Sequence, residues 1–482
     1  MSLTPPRIPG TPRPLGLGDR VVHIPRGLTT HLRVDVHGIR PKPLRPGVIL
    51  SGFFVGLILI GTILLLMPFS LAAGREPDVL TALFTATSAV CVTGLTVVST
   101  HDHWSTLGQG VILLLIQIGA LGFVVGAIAI FTLAGRRTST REPWMFGQRL
   151  GVGEPGGLVG LVWRIGLFTI FVEAIGAVLL FLRTSEDAVV ENALWWSTFH
   201  AVSAFTNAGF DIEPGESSFS RLIDDPITLG VLTGLPLIGI LGFTVIFNVL
   251  RRRSWRRLTL ESHLVLTAIP SLLIAGAIML FVLAPTFGNT VAADDFGLRI
   301  STALSHSVWR TTGFSTVDLG LLPTDTLIVL IILMFIGGAS ASVAGGITVN
   351  SFGALFVAMV SHVRGRIYPE AFGRRIAHGS IMRALAVVGL SSSAVLISTI
   401  VMSIAERGSD TVFSNLLFEA VSAFAVVGYS TGITPDLSVV SKLVLITTMF
   451  VGRLGVLTLA QALLTREHHP VVRYSEEVIK VG

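Results

Sequence analysis

Cysteine and charged residues are both scarce in this sequence. Its single cysteine, Cys91, excludes an intramolecular disulfide framework and any multi-cysteine zinc or iron–sulfur site. Charged side chains make up 13% of the 482 residues, whereas hydrophobic ones make up 51%. A water-soluble protein of this size does not need so much apolar surface. The composition therefore predicts an all-α polytopic membrane protein.

Catalytic and nucleotide-binding motifs are missing as well. The sequence has no His-Glu-x-x-His, no Gly-x-Ser-x-Gly and no pair of aspartates inside an apolar run. It has no Gly-x-Gly-x-x-Gly after a predicted strand, so a nucleotide sensor would have to be a separate protein. We predict that the chain is not an enzyme, and an intramembrane enzyme is kept as a remote alternative.

Eight apolar runs are long enough to cross a hydrocarbon core about 30 Å thick. They lie at 48–72, 107–134, 158–182, 226–250, 262–285, 326–360, 382–405 and 440–464. The N-terminal segment 1–46 is rich in Pro and Arg and has no apolar signal-peptide core. We therefore expect eight transmembrane helices between two extramembrane tails.

Arginine and lysine are concentrated in alternate loops. The tail 1–46 and the loops 135–144, 251–257 and 364–375 are basic, whereas the loops between them are mostly acidic. Basic loops are retained on the cytoplasmic side, so we predict a multi-pass plasma (inner) membrane protein with both termini cytoplasmic. Topology and anionic lipid then explain the net charge of +5, and no nucleic-acid partner is expected.

A short segment recurs four times between the long runs. The copies are "FTATSAVCVTGL" (84–95), "FHAVSAFTNAGF" (199–210), "ALSHSVWRTTGF" (303–314) and "FEAVSAFAVVGY" (418–429), and each keeps a serine and a glycine in register. This register predicts four units at 47–145, 146–257, 258–375 and 376–465, followed by a cytoplasmic tail at 466–482. Because every unit ends in arginines on the same side, its short segment must enter and leave from the external face. The predicted fold is four parallel helix–pore-loop–helix repeats around a pseudo-fourfold pore.

Backbone that enters a membrane without crossing it must be buried in protein or line a water-filled cavity. Four such segments around one axis bring together carbonyl oxygens that can replace the hydration shell of a cation. The predicted filter consists of Val92, Thr93, Gly94, Asn207, Ala208, Gly209, Thr311, Thr312, Gly313, Val426, Val427 and Gly428. No carboxylate stands among them, which favours a monovalent cation. The alternative is that the four glycines serve only close helix packing.

The sequence "GGASASVAGG" (337–346) interrupts the sixth apolar run. Glycine costs roughly 1 kcal/mol relative to alanine in a helix interior, so we predict a broken helix that lines a cavity. The predicted gate residues are Gly337, Gly338, Ser340, Ser342, Gly345, Gly346 and, in the last run, Arg453. A charge at membrane depth needs a cavity or a partner. The alternatives are a small-residue helix crossing for the loop and snorkelling to the inner interface for the arginine.

Other polar residues in the apolar runs are interpreted as structural groups. Arg310, beside the third filter segment, is expected to form an ion pair with Glu419. Glu173, His200 and His306 are expected to have hydrogen-bond partners inside the protein.

The four segments, together with "FIGGASASVAGGIT" (335–348) and "MFVGRLGVLTL" (449–459), resemble the Trk/Ktr/HKT superfamily of potassium transporters, most closely its Ktr-type membrane subunit. The resemblance covers about residues 47–465. It implies one potassium-selecting glycine per repeat, an intramembrane gating loop at 337–346 and a homodimer of two pores. It also implies a cytosolic RCK-type nucleotide-binding regulatory subunit. The loops 251–257 and 364–375 are candidates to contact it, or they only enforce topology and bind anionic lipid.

The leading hypothesis is potassium uptake, with no covalently bound cofactor and with potassium as the transported ion. Superfamily members with serine in the first repeat tend to favour sodium, and Gly94 at that position implies potassium here. The alternative is a cation-coupled potassium symporter or a sodium-permeable relative. A symporter would need a coupling-ion site, and the sequence displays none.

Overall fold

The computed structural model describes residues 46–135, 157–185, 192–214, 219–223, 225–283, 296–366 and 368–455. The predicted tails, 1–46 and 466–482, lie outside these residues except for Pro46. The limits of the four predicted units stay predictions.

Helices account for almost all of the regular structure. The first eight are α1 (Pro46–Leu66), α2 (Val79–Cys91), α3 (Thr100–His103), α4 (Thr106–Gly135), α5 (Gly157–Thr184), α6 (Ala193–Thr206), α7 (Pro226–Ile240) and α8 (Phe243–Arg252). The others are α9 (Leu260–Leu283), α10 (Phe296–Trp309), α11 (Thr324–Phe335), α12 (Val349–Val363), α13 (His378–Ala405), α14 (Phe413–Ala425) and α15 (Val439–Leu454). A two-stranded antiparallel hairpin, β1 (Glu370–Ala371) and β2 (Arg374–Arg375), connects α12 to α13.

Five helices of the described residues are long and apolar enough to cross a membrane, and a bent pair makes a sixth candidate. The five are α1, α4, α5, α9 and α13. Their outward faces carry large exposed apolar side chains such as Ile60, Leu167 and Ile397. Such faces suit hydrocarbon, so the chain is a multi-pass membrane protein.

The prediction of one continuous helix over 226–250 is wrong. The chain turns by 88° between α7 and α8. Gly242 makes the turn with φ 77, a left-handed value that glycine adopts without steric cost. By contrast, the predicted break in the run 326–360 is confirmed, because α11 and α12 are separated by residues 336–348. In the described part of the last run, helix α15 ends at Leu454, and the next residue, Gly455, has φ 78.

Four short helices, α2, α6, α10 and α14, contain the repeated segments and occupy the interior. Their aligned aromatic residues Phe84, Phe199 and Phe418 are fully buried, as is nearly every residue in their C-terminal turns. Asp78 caps α2 by accepting hydrogen bonds from the backbone N–H of Thr81 (2.9 Å) and from its hydroxyl (2.6 Å). The hydroxyl contact is the main reason that the pKa of Asp78 lies below its usual value.

Candidate functional site at the four glycines

Three of the short helices end in the same way. Val92, Asn207 and Val426, at the ends of α2, α6 and α14, have φ values of 61, 58 and 57. The next residue in each case donates its N–H to the repeated serine, at 2.8 Å for Thr93 and Ser88. The left-handed residue itself donates its N–H to the carbonyl three residues earlier, at 3.1 Å for Val92 and Ala89. This pair of hydrogen bonds is the Schellman motif, in which the left-handed residue is usually glycine.

Valine is an unfavourable residue at such an ending. A β-branched side chain at positive φ is a conformational outlier, and a left-handed non-glycine residue costs of order 1–3 kcal/mol. Val92 and Val426 are each only 1% exposed, so the surrounding core holds them in place. The first predicted filter residue of these three segments, Val92, Asn207 or Val426, is therefore left-handed and not extended.

The third segment differs from the other three. Helix α10 ends at Trp309, whose carbonyl accepts hydrogen bonds from the N–H groups of Thr312 and Gly313, both at 2.8 Å. None of the residues 310–312, which lie between Trp309 and Gly313, is left-handed. The four-copy sequence register thus hides a difference in backbone path.

The four glycines of the repeat lie side by side, and the fourth adjoins the first. All have positive φ, with values of 88, 71, 87 and 98 along the chain. A Cβ added to any of them would lie closer than 3.0 Å to the carbonyl oxygen just before the next glycine. The pairs are Gly94 with Ala208, Gly209 with Thr312, Gly313 with Val427 and Gly428 with Thr93. Residues more than a hundred positions apart in sequence therefore form one ring, hereafter the glycine ring.

A side-chain bridge ties the second segment to the third. Oδ1 of Asn207 accepts hydrogen bonds from the hydroxyls of Thr311 (3.0 Å) and Thr312 (2.8 Å). All three residues are at most 3% exposed. A buried amide that lost these donors would leave an unpaired oxygen, so the bridge fixes the two segments relative to each other.

Polar side chains behind the ring hold the chain that leaves it. Nε2 of His200 accepts the N–H of Ile212 at 3.3 Å, and Oε1 of Glu419 accepts the N–H of Thr431 at 2.9 Å. His200 and Glu419 occupy the same aligned position, and each reaches the residue three positions after the ring glycine. The interpretation of His200 as a structural group agrees with this contact.

The predicted ion pair between Arg310 and Glu419 is wrong. Glu419 accepts hydrogen bonds from Ser430, Thr431 and Thr434. Nη1 of Arg310 instead donates to the carbonyl of Leu333 at 2.7 Å and to that of Ile336. These carbonyls end α11, so the guanidinium satisfies a helix C-terminus that lies just before the 337–346 loop.

The 337–346 loop packs between α7, α12 and α14. Its N–H groups at Ala339 and Gly337 donate to Ile240 and Ile347, both at 2.8 Å. The N–H of Ser340 donates to Asn350 Oδ1 at 2.9 Å, and an added Cβ on Gly338 would meet Ser342 Oγ.

The far end of the loop lies against the filter side of α14. An added Cβ on Gly345 would lie 2.5 Å from Cβ of Val426, and one on Gly346 would crowd Ala425. Glycine at these two positions allows the loop to approach the fourth segment.

Arg453 and the loop are in direct contact. Nη1 of Arg453 donates to the carbonyl of Val343 at 2.7 Å, and its guanidinium lies over the ring of Phe123, 4.7 Å from the centroid. The side chain is 1% exposed. Its Nε and Nη2 have no hydrogen-bond partner among the described residues. The snorkelling alternative does not fit a guanidinium held in this way inside the protein.

Residues 36–470 match the TrkH family, which is described as cation transport proteins. The chain belongs to this family. It is 36% identical over 438 residues to the potassium/sodium uptake protein NtpJ of Enterococcus hirae, an alignment that covers 90% of this chain and 96% of that protein. It is 34% identical over 441 residues to the Ktr system potassium uptake protein B of Bacillus subtilis, with coverages of 91% and 96%.

A solved structure shows that the fold is shared. The crystal structure of the potassium transporter TrkH from Vibrio parahaemolyticus superposes with a TM-score of 0.70 at 19% identity, covering 89% of this chain and 86% of that one. The family and these relatives are transporters, which points away from an enzyme. Within the described part of this TrkH-family chain, no three His, Cys, Asp or Glu side chains are grouped to hold a metal ion.

One repeated feature of this TrkH-family sequence escaped the sequence analysis. The motif Gly-x-Leu-Gly starts at Gly119, Gly239 and Gly452, in the helix that follows each of three ring segments. A Cβ added to any of these glycines would lie closer than 3.0 Å to a carbonyl at the end of the neighbouring short helix, that of Val90, Phe205 or Phe424 respectively. These carbonyls all lie four residues before a ring glycine. A search for a second pattern in the repeat register would have found it.

Proposed function

We propose that this protein carries potassium ions across the membrane through the glycine ring. The observation that carries the proposal is the closed order in which each glycine adjoins the carbonyl before the next one. In this order, a neutral backbone carbonyl of each segment lies beside the glycine of a neighbouring segment. Rings of backbone carbonyls replace the hydration shell of potassium in channel filters. The absence of a carboxylate among the twelve predicted filter residues favours a monovalent ion.

The electrostatics of the helix ends support the same cargo. Helices α2, α6, α10 and α14 all end just before the ring. The C-terminal end of a helix carries a partial negative charge of roughly half an elementary charge. Four such ends favour a cation in the ring, and they add no fixed carboxylate that would hold a divalent ion tightly.

The proposed gate consists of the 337–346 loop and Arg453. Gly345 adjoins Val426, which lies two residues before Gly428 of the ring. Arg453 donates to Val343 in the same loop, and it presents a buried positive charge close to it. A guanidinium beside a cation pathway opposes the passage of the cation. Movement of the loop away from the fourth segment would open the pathway.

The proposal extends to the assembly in which the chain works. It includes a homodimer in the plasma membrane with cytoplasmic termini and a cytosolic RCK-type subunit that supplies nucleotide control. The relatives named as Ktr system proteins support a multi-component system. The sequence itself has no Gly-x-Gly-x-x-Gly after a predicted strand that could supply that control in cis.

Growth and ion uptake in a bacterium without its own potassium uptake test the proposal. The chain should restore growth at low external potassium and should accumulate rubidium, a potassium substitute. Gly94→Ser should shift the ratio of potassium to sodium uptake toward sodium, because an added side chain displaces the neighbouring carbonyl of Ala208. The name of the relative NtpJ makes sodium the second candidate ion. Absence of growth and of rubidium uptake at normal expression would overturn the proposal.

A further inference from the structure

Aromatic stacking joins two basic segments that are distant in sequence. The first is 251–257, at the end of α8, and the second is the hairpin at 370–375. Trp255 packs edge-on against His263 with ring centroids 4.8 Å apart, and His263 stacks on Phe372 at 5.0 Å. We call the two joined segments the basic aromatic surface.

The basic aromatic surface combines exposed rings with exposed guanidinium groups. Trp255 is 50% exposed and Phe372 is 46% exposed. The exposed arginines around them are Arg252, Arg253, Arg256, Arg257, Arg374 and Arg375. None of these six forms a salt bridge with another described residue. The carboxylate of Glu370 is the one acidic group in the two segments, so the surface has a net positive charge.

Phe372 is held at the tip of the hairpin in an unfavourable conformation. Phe372 and Gly373 form its two-residue turn, with φ values of 51 and 68. Turns with two left-handed residues strongly prefer Asn-Gly or Gly-Gly, and a bulky side chain at positive φ is an outlier. The chain thus keeps a large apolar ring at an exposed tip where a small polar residue would fold more easily. The stack on His263 holds one side of the ring in this conformation, and the ring remains 46% exposed.

The start of α9 places this surface at the membrane face. Helix α7 has 15 residues, which extend about 22 Å at roughly 1.5 Å per residue. The hydrocarbon core is about 30 Å thick, so α7 alone does not cross it, and the 88° turn lies beside the 337–346 loop. Helix α9 is long and apolar enough to cross the membrane and begins at Leu260, three residues after Arg257, so the first basic segment lies at one boundary of the membrane.

Aromatic packing holds α8 against α5. Phe168 of α5 contacts Phe243 and Phe247, with centroids 6.1 and 6.3 Å apart. Leu250 lies two turns after Phe243 on the same side of α8 and is 58% exposed. The first turns of α8 are therefore fixed to the protein, and its last turn is exposed just where the arginines begin.

We propose that the basic aromatic surface is a docking site for anionic phospholipid headgroups. Guanidinium groups bind phosphate oxygens in a bidentate way, and tryptophan favours the headgroup level of a bilayer. Clusters of four or more basic residues next to a transmembrane helix attract anionic lipid. An acidic face of a cytosolic protein has similar charge, and the experiment below separates it from lipid.

Quenching of tryptophan fluorescence by brominated lipid tests the site on the full chain in vesicles. Trp255→Phe isolates the contribution of Trp255 from that of the six other tryptophans. Brominated phosphatidylglycerol should quench this contribution at about tenfold lower mole fraction than brominated phosphatidylcholine. The double variant Arg256→Gln with Arg257→Gln should lose most of this preference, and the corresponding lysine variant should keep it.

The control removes two exposed arginines from the loops on the opposite side of the membrane. Arg75→Gln with Arg407→Gln should leave the preference unchanged. Equal quenching by the two lipids, or the same loss in the control variant, would overturn the site. Quenching by neither lipid, with Trp255 shielded only when a cytosolic protein is added, would replace lipid by a protein partner. None of these readouts depends on ion transport, so the site and the proposed transport function can fail separately.

Discussion

Replacing Gly428 by alanine perturbs the glycine ring at one point. Gly428 has φ 98, and an added Cβ would lie closer than 3.0 Å to the carbonyl oxygen of Thr93. The left-handed backbone alone costs alanine roughly 1–2 kcal/mol. The overlap adds to this cost because the atom that it meets is backbone, which cannot rotate away. Either the fourth segment or the first must therefore move, and we expect ion uptake to be lost.

Gly432 provides the matched control because it separates the two contributions. It has φ 84, and no atom lies within 4 Å of an added Cβ. Gly432→Ala should lose only the backbone contribution of roughly 1–2 kcal/mol. It should therefore lower the melting temperature of the purified protein while uptake continues.

Rubidium uptake in a potassium-uptake-deficient bacterium is the assay, with membrane expression measured by immunoblot. Gly428→Ala should abolish uptake at an expression level at which Gly432→Ala still transports. Equal uptake by the two variants would refute the reasoning, because it would mean that the carbonyl of Thr93 can move without consequence for the ion. Loss of uptake in both variants would show that backbone strain alone is sufficient.

Four further predictions concern residues around the ring and on the periphery. Arg453→Gln should raise rubidium flux in vesicles several-fold, because it removes the positive charge bound to Val343. Arg310→Gln should destabilise the purified chain by about 1.5–3 kcal/mol, because the C-terminal carbonyls of α11 lose a charged donor. Gln117→Leu should cost about 1–3 kcal/mol, because Gln117 donates to the buried carboxyl of Glu173 at 2.9 Å. The lowered pKa of Asp78 contributes stability above its usual value of 3.8 that is lost as the pH falls through the lowered value, so Asp78→Asn should flatten the acid limb of thermal melting.

Each of these predictions has an outcome that contradicts it. Unchanged flux of the Arg453 variant at normal expression would remove that residue from the proposed gate. Melting of the Arg310 or Gln117 variant within error of the native chain would mean that water replaces the lost hydrogen bond. Lysine at position 310 serves as the charge-preserving comparison. An acid limb that Asp78→Asn leaves unchanged would assign the loss of stability to other carboxylates.

The repeat was the most informative part of the sequence. Alignment of four serines and four glycines indicated that Gly94, Gly209, Gly313 and Gly428 share a position, and the structure brings them into one ring. The same reasoning predicted the break at 337–346 from its glycines, because so many small residues weaken a helix. Both are properties of the local sequence that need no knowledge of neighbouring helices.

Other features depended on partners that the alignment cannot name. The sequence predicted one helix over 226–250, but Gly242 lies against Ser340 of the 337–346 loop and the chain turns there. Glu419 was a plausible ion-pair partner for Arg310 from the sequence, but Arg310 donates to a carbonyl at the end of α11 instead. A single glycine or arginine has several favourable conformations, and the packing around it selects one.

Composition and the repeat register, taken alone, determined that the chain is a membrane protein with four repeated segments, because apolar length and periodic glycines act locally. Only the tertiary structure decided the closed order of the ring, the left-handed turns at Val92, Asn207 and Val426, and the contact of Arg453 with Val343. Each of these depends on which backbone carbonyl lies opposite a given residue. That choice is made by the packing of helices that are far apart in sequence.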